Sequence, residues 1–131
     1  MIKRKVLLAE DDLDDQIIFT DFLKGRSDLH LLKPVDNGEA LLERLFANRE
    51  NELPDIIILD QNMPRRNGLQ TLQQLKQDER FANIPVVIYS TYIDQMLTNA
   101  ALELGAYKVA TKPVSKQGYN KMMDDFLDFF R

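Results

Sequence analysis

The ten residues DIIILDQNMP, from Asp55 to Pro64, constrain the fold of this chain more than any other stretch. Four consecutive apolar residues, three of them isoleucine, are typical of a strand that is buried on both faces inside a parallel sheet. Asp60 ends this run where the chain must turn, and Pro64 and Gly68 mark a loop before the next helical pattern. Because a desolvated carboxylate is costly, its place at the end of a buried strand predicts that Asp60 has a function.

Apolar runs and helical patterns alternate along the whole chain. Strands are predicted at residues 6–9, 29–35, 56–59, 85–89 and 107–110, and helices over residues 13–24, 41–49, 69–75, 93–104 and 119–130. Pro34 indicates an edge position for the second strand. This order predicts an α/β fold with a doubly wound, five-stranded parallel sheet, the flavodoxin-like strand order 2-1-3-4-5 and helices on both faces.

Local signals mark several helix ends. Gly25 and Gly105 suit helix C-caps, and Thr91 suits the N-cap of the fourth helix. Asp14 and Asp15 fall in the first turn of the first helix, where carboxylates interact favourably with the helix dipole. We interpret these two acids as capping residues only.

The composition sets limits on the function. The 131 residues suffice for one domain and not for two, so residues 1–131 are predicted to form a single domain with no output domain. A net charge of −4 argues against binding to nucleic acid or to anionic membranes. The absence of cysteine excludes disulfides, thiolate catalysis and structural zinc sites. No apolar run approaches the roughly 18 residues of a membrane span, so a cytoplasmic location is predicted.

Polar side chains fall at the ends of four predicted strands, which meet at one edge of such a sheet. They are Glu10 and Asp11 after the first strand, Asp60 after the third, Ser90 and Thr91 after the fourth, and Lys112 after the fifth. Carboxylates this close repel one another unless a hard divalent cation such as Mg2+ is bound between them. A lysine and a hydroxyl can hold a phosphoryl group, and Asp60 could then act as the nucleophile that accepts it.

These residues resemble the response-regulator receiver domains of two-component signalling, and the resemblance extends from about residue 3 to residue 131. The segments that carry it are LAEDD at 8–12, LDQNMP at 59–64 with Gly68, Ser90-Thr91, and Lys112-Pro113. The Asp-x-Asn-Met-Pro segment is similar to that of stand-alone receivers, including those that work with bacteriophytochromes.

The resemblance implies a role for each site residue. The metal ligands would be Glu10 (largely through water), Asp11 (directly), Asp60 and the backbone carbonyl of Asn62. Asp60 would be the phosphoacceptor, while the Ser90 hydroxyl, the Thr91 amide and the Lys112 ammonium would contact the phosphoryl group. The Lys112–Pro113 peptide bond is expected to be cis.

One position departs from the family pattern, which usually has Tyr or Phe three residues before its lysine. Here this residue is Val109. Tyr107, two residues earlier, is predicted to lie on the same face of the strand. The usual coupling of the hydroxyl to a rotating aromatic ring is therefore not expected, and Tyr92 at the start of the fourth helix is the predicted substitute.

The function that the resemblance implies is a phosphorylation-dependent switch and not an enzyme, although self-dephosphorylation is compatible with it. A histidine kinase or phosphotransfer protein would supply the phosphoryl group. The message would pass through a changed face formed by the fourth helix, fifth strand and fifth helix, by contact with a target or by homodimerisation.

Three other functions fit the sequence less well. A phosphatase of the haloacid-dehalogenase kind needs a second Asp two residues after the nucleophile, where this chain has Asn62. A nucleotide or flavin binder needs a glycine-rich phosphate loop after a strand, and no such motif occurs. A degenerate receiver used only for docking would not need the complete set of acids and lysine. Phosphoryl uptake from acetyl phosphate with Mg2+ separates this last alternative from the switch.

Overall fold

Five parallel strands form one sheet in the computed structural model, which describes residues 2–47 and 53–131. The strands are β1 (Arg4–Ala9), β2 (Leu29–Leu31), β3 (Ile56–Asp60), β4 (Val86–Ser90) and β5 (Lys108–Thr111). The helices are α1 (Leu13–Leu23), α2 (Gly38–Ala47), α3 (Gly68–Gln77), α4 (Gln95–Glu103) and α5 (Lys116–Leu127), and a short 3-10 turn follows at Asp128–Phe130. None of the described helices is long and apolar enough to cross a membrane.

The strand order is β2-β1-β3-β4-β5, as predicted from the sequence. β3 lies in the centre, where Ile57 pairs with Leu7 of β1 and Ile58 pairs with Val87 of β4. Every residue of β3 is buried, which agrees with its nearly continuous apolar sequence. The central strand therefore delivers Asp60 to the carboxyl-terminal edge of the sheet.

Alternate strand residues pack into two separate core layers, because successive side chains of a strand point to opposite faces. Leu7 and Ile57 belong to the layer covered by α2, α3 and α4, whereas Leu8 and Ile58 belong to the layer covered by α1 and α5. We call these the α2–α4 layer and the α1/α5 layer.

The second and fifth strands differ from the prediction. β2 ends at Leu31, and beyond it only Val35 makes an isolated bridge to Ala9, because Pro34 in between has no amide hydrogen to donate. Tyr107 precedes β5 and packs into the α1/α5 layer, whereas Val109 packs into the α2–α4 layer. The prediction that these two side chains share a face was therefore wrong, since the regular alternation begins only at Lys108.

The helix ends confirm one predicted cap and correct two. Gly105 follows α4 with a φ of 100°, a left-handed conformation that glycine adopts without strain. Gly25 is not a left-handed cap, because α1 ends at a right-handed Lys24 whose amide bonds to the Thr20 carbonyl. Thr91 is not the N-cap of α4, since the carboxylate of Asp94 accepts the first-turn amide instead and the helix begins later than predicted.

The predicted end of the second helix, near residue 49, lies outside the described residues. In the described part, α2 runs as far as Ala47.

Candidate functional site

A cleft of about 580 Å³ opens at the carboxyl-terminal edge of the sheet, where β1, β3, β4 and β5 end. We call it the acidic cleft, and its lining residues are Glu10, Asp11, Asp12, Leu13, Asp14, Asp15, Asp60, Asn62, Thr91 and Lys112. Ser90 is buried beside it, and its hydroxyl lies 3.4 Å from the Asn62 side-chain amide. The structure thus brings together all seven site residues predicted from the sequence.

Lys112 is the cation of the acidic cleft. Its ammonium lies 2.7 Å from Glu10 Oε1, 3.1 Å from Asp15 Oδ2 and 3.4 Å from Asp60 Oδ2. Burial by itself lowers the pKa of this lysine, but hydrogen bonding and attraction to the carboxylates, above all Glu10, raise it overall. Lys112 therefore remains charged at every physiological pH.

Glu10 is completely buried, and both of its carboxylate oxygens have partners. Oε1 accepts a hydrogen bond from the Tyr89 hydroxyl at 2.9 Å in addition to the contact with Lys112, and Oε2 accepts the Asp12 amide at 3.2 Å. Burial raises the pKa of Glu10, but hydrogen bonds with Asp60, Lys112 and these groups outweigh it, so that the pKa is lowered. Glu10 is thus the carboxylate that stays ionised.

The pKa of Asp60 is shifted in the opposite direction to that of Glu10. Asp60 is 2% exposed, and its Oδ1 accepts the backbone amide of Asn62 at 3.2 Å. Burial, and after it the hydrogen bond and repulsion from Glu10, raise the pKa of Asp60 to about 7, although Lys112 opposes this shift. Without a bound cation, the two carboxylates therefore tend to share one proton near neutral pH.

The acidic cleft also fits a metal ion. Ligand oxygens of Glu10, Asp11 and Asp60 all lie within 4.8 Å of one another, and Asp11 is exposed to solvent. An all-oxygen set of carboxylates is the donor chemistry that a hard divalent cation prefers. A bound cation would also favour the ionised form of Asp60.

The sequence matches the response regulator receiver domain family over residues 6–124. The chain belongs to this family. Receiver domains are the phosphoryl-accepting switches of two-component systems, and this chain is one of them.

Its relatives include chains of similar length and longer proteins. The Mn2+-bound response regulator Rcp1 is 28% identical with a TM-score of 0.79, over 97% of this chain and 94% of that one. The phosphorylated cyanobacterial phytochrome response regulator RcpA is 26% identical with a TM-score of 0.83, over 97% and 93%. A protein-glutamate methylesterase/protein-glutamine glutaminase of Clostridium acetobutylicum is 29% identical over 100% of this chain, which spans only 37% of that relative's length.

One expectation taken from the receiver family is not met. The chain has no cis peptide bond among its described residues, so the Lys112–Pro113 bond is trans. The trans form is preferred even before proline, by about 0.5–1 kcal/mol. Lys112 still reaches the carboxylates, and its backbone amide bonds to the Ser90 carbonyl at 2.9 Å.

Two side-chain contacts at this receiver's cleft were not predicted from the sequence. Asp15, interpreted as a capping residue, contacts Lys112, and Tyr89, interpreted as part of an apolar strand, bonds to Glu10. A signal for Tyr89 was present, because a tyrosine in a fully buried strand needs a partner for its hydroxyl. No comparable signal marked Asp15, because its contact joins the first turn of α1 to the residue after β5 and depends on how these elements pack.

The pH dependence of stability should reveal the raised pKa of Asp60. Between 3.8, the ordinary value, and about 7, the folded receiver retains a proton that the unfolded chain has released. The protonated group therefore stabilises the fold at low pH, and this contribution is lost as the pH rises through 7. In EDTA, wild-type stability should fall by about 2 kcal/mol relative to Asp60→Asn over this range, after allowance for solvent screening. The free energy of unfolding of both proteins is measured in urea at several pH values. The same pH dependence for the two proteins would contradict the assignment.

Tyr89→Phe tests the buried hydrogen bond to Glu10. The substitution removes one donor from a carboxylate that is fully buried, and we expect a loss of about 1 kcal/mol in the free energy of unfolding. Tyr92→Phe is the matched control, because Tyr92 is 74% exposed and its hydroxyl should be replaceable without loss. Equal stabilities of the two variants in urea would mean that the Tyr89 hydroxyl contributes nothing.

Proposed function

We propose that this receiver domain accepts a phosphoryl group on Asp60 from a histidine kinase or phosphotransfer protein. The observation that carries the proposal is the position of the Lys112 ammonium, 3.4 Å from Asp60 Oδ2, inside a cleft open to solvent. A carboxylate nucleophile beside a fixed cation is what transfer of an anionic group needs, because the cation offsets the charge of the incoming phosphoryl oxygens.

The transfer itself forms one bond and breaks one. An oxygen of the ionised Asp60 carboxylate bonds to phosphorus, and the bond from phosphorus to the donor's imidazole nitrogen breaks. The imidazole keeps the electron pair and takes up a proton. Such transfers depend on positioning and charge neutralisation more than on further covalent chemistry, and Lys112 and the rigid end of β3 provide both.

Mg2+ is the proposed cofactor, held by Asp11, Asp60, the backbone carbonyl of Asn62 and, through water, Glu10. The indirect role of Glu10 is supported by its hydrogen bonds, since both of its oxygens already have partners in the protein. When bound, the cation would neutralise charge on the carboxylates and on the phosphoryl oxygens.

For the output, we propose that Ser90 and the Thr91 amide turn towards the phosphoryl group and that the face of α4, β5 and α5 changes with them. Ser90 is 1% exposed and ends β4, so its displacement must disturb packed neighbours. The receiver would act on a target or on a second copy by protein contact, and not as an enzyme beyond loss of its own phosphoryl group. The role of Tyr92 and the cytoplasmic location stay predictions.

The proposal is tested by incubating the protein with acetyl phosphate and Mg2+ and measuring its intact mass. We expect one phosphoryl group per chain, no uptake in EDTA, and release by hydroxylamine, which cleaves acyl phosphates. No uptake with Mg2+ present would overturn the proposal and leave the docking module as the alternative.

A further inference from the structure

Asp15 gives Lys112 a third carboxylate partner, which the receiver motifs of the sequence do not account for. Its Oδ2 lies 3.1 Å from the Lys112 ammonium, and the pair joins the first turn of α1 to the end of β5. The backbone of Asp15 is fixed in place, because its amide donates to the N-cap carboxylate of Asp12 at 3.0 Å. The contact therefore belongs to the ordered part of the acidic cleft.

The number of donors on Lys112 makes this contact significant. An ammonium group has three hydrogens to donate, and here three carboxylates, those of Glu10, Asp15 and Asp60, surround it. A phosphoryl oxygen that approaches Lys112 therefore competes with these carboxylates for the ammonium hydrogens.

The three carboxylates differ in what their release would cost. Glu10 makes the shortest contact with Lys112 and is completely buried, so its separation would leave a desolvated charge. Asp60 carries the phosphoryl group itself and stays beside the lysine. The side chain of Asp15 is 29% exposed and can turn to water, so it is the partner that is released most easily.

We propose that Asp15 is a positioning residue that holds Lys112 in the unphosphorylated receiver, and that the phosphoryl group takes its place on the ammonium. The inference rests on the proposed role of Asp60. It makes Asp15 a brake on phosphorylation, because the Lys112–Asp15 pair must break for the transfer to proceed. It also means that phosphorylation releases α1 from the end of β5.

The test compares Asp15→Asn with Asp14→Asn. Asp14 lies in the same helical turn and lines the same cleft, but it is not among the ion-pair partners of Lys112 in the described part of the chain. Both substitutions remove one negative charge from the cleft. The general effect of this charge on the approach of the anionic phosphoryl donor is therefore the same for both variants. At saturating acetyl phosphate and Mg2+, we expect Asp15→Asn to be phosphorylated about fivefold faster than Asp14→Asn. Asp15→Glu, which keeps the carboxylate, should return the rate to within about twofold of wild type.

The outcomes separate this inference from the proposed function. If the wild-type protein takes up no phosphoryl group, the role of Asp60 fails and the inference fails with it. If the wild type is phosphorylated but the two asparagine variants have equal rates, only the role of Asp15 is overturned. A slower rate for Asp15→Asn would also overturn it, since Asp15 would then assist the transfer.

Discussion

Asp60→Asn is expected to abolish phosphoryl uptake from acetyl phosphate, with a loss of at least about a hundredfold in the initial rate. The amide that replaces the carboxylate has the same shape but is not a nucleophile. The other acids cannot substitute easily: Glu10 is buried with both oxygens occupied, and Asp11 is not among the ion-pair partners of Lys112 in the described residues. The measurement is the intact mass after timed incubation with Mg2+.

Asp14→Asn is the control for this experiment, because it removes the same charge from the rim of the cleft and should still be phosphorylated. Peptide mapping of the wild-type product should place the phosphoryl group within LDQNMP, the segment 59–64. Uptake by the Asp60→Asn variant at the control rate would move the phosphoacceptor to another side chain.

Lys112→Met is expected to lower the free energy of unfolding by about 3 kcal/mol at pH 7.5 in EDTA. The substitution keeps a long apolar side chain but removes the only cation within ion-pair distance of Glu10 and Asp60 among the described residues. The buried charge of Glu10 would then lose its cation, and Asp60 could remain beside it only in the protonated form, which is the costly way to break a buried ion pair. Urea unfolding followed by circular dichroism measures the loss.

The loss caused by Lys112→Met should depend on solution conditions. It should shrink below pH 5, where protonation of the carboxylates removes their repulsion, and also in millimolar Mg2+ if the cation binds the folded cluster as proposed. Lys121→Met on the exposed side of α5 is the control, with an expected change within about 0.5 kcal/mol. If both variants lost the same amount, Lys112 would have no special role in holding the acids together.

The sequence was sufficient to predict the parallel sheet and the residues at its edge. Strands buried on both faces have continuous apolar sequences, which are easily recognised. The carboxyl ends of parallel strands lie together, so Asp11, Asp60 and Lys112 had to meet. This prediction used only the order of the strands, which depends on whole apolar runs and not on single side chains.

What could not be predicted depends on single side chains. Whether Thr91 or Asp94 caps α4 is decided by where the loop lets the helix begin, and both residue types are good N-caps. Whether Tyr107 alternates with Val109 depends on the residue at which β5 becomes regular. The contacts of Asp15 and Tyr89 are made by side chains that extend away from their own elements. Residue spacing does not predict which residue of another element such a side chain contacts.

Adjacent residues of β4 join the acidic cleft to both core layers. Tyr89 lies in the α1/α5 layer with its hydroxyl on Glu10, and the alternation of the strand turns Ser90 towards the α2–α4 layer, beside Asn62. A displacement of this strand end must therefore be accommodated on both faces of the sheet at once. Suppose that a protein binds the helices over either layer and prefers one position of the strand end. Thermodynamic reciprocity then requires that this protein alters the affinity of the cleft for its phosphoryl group.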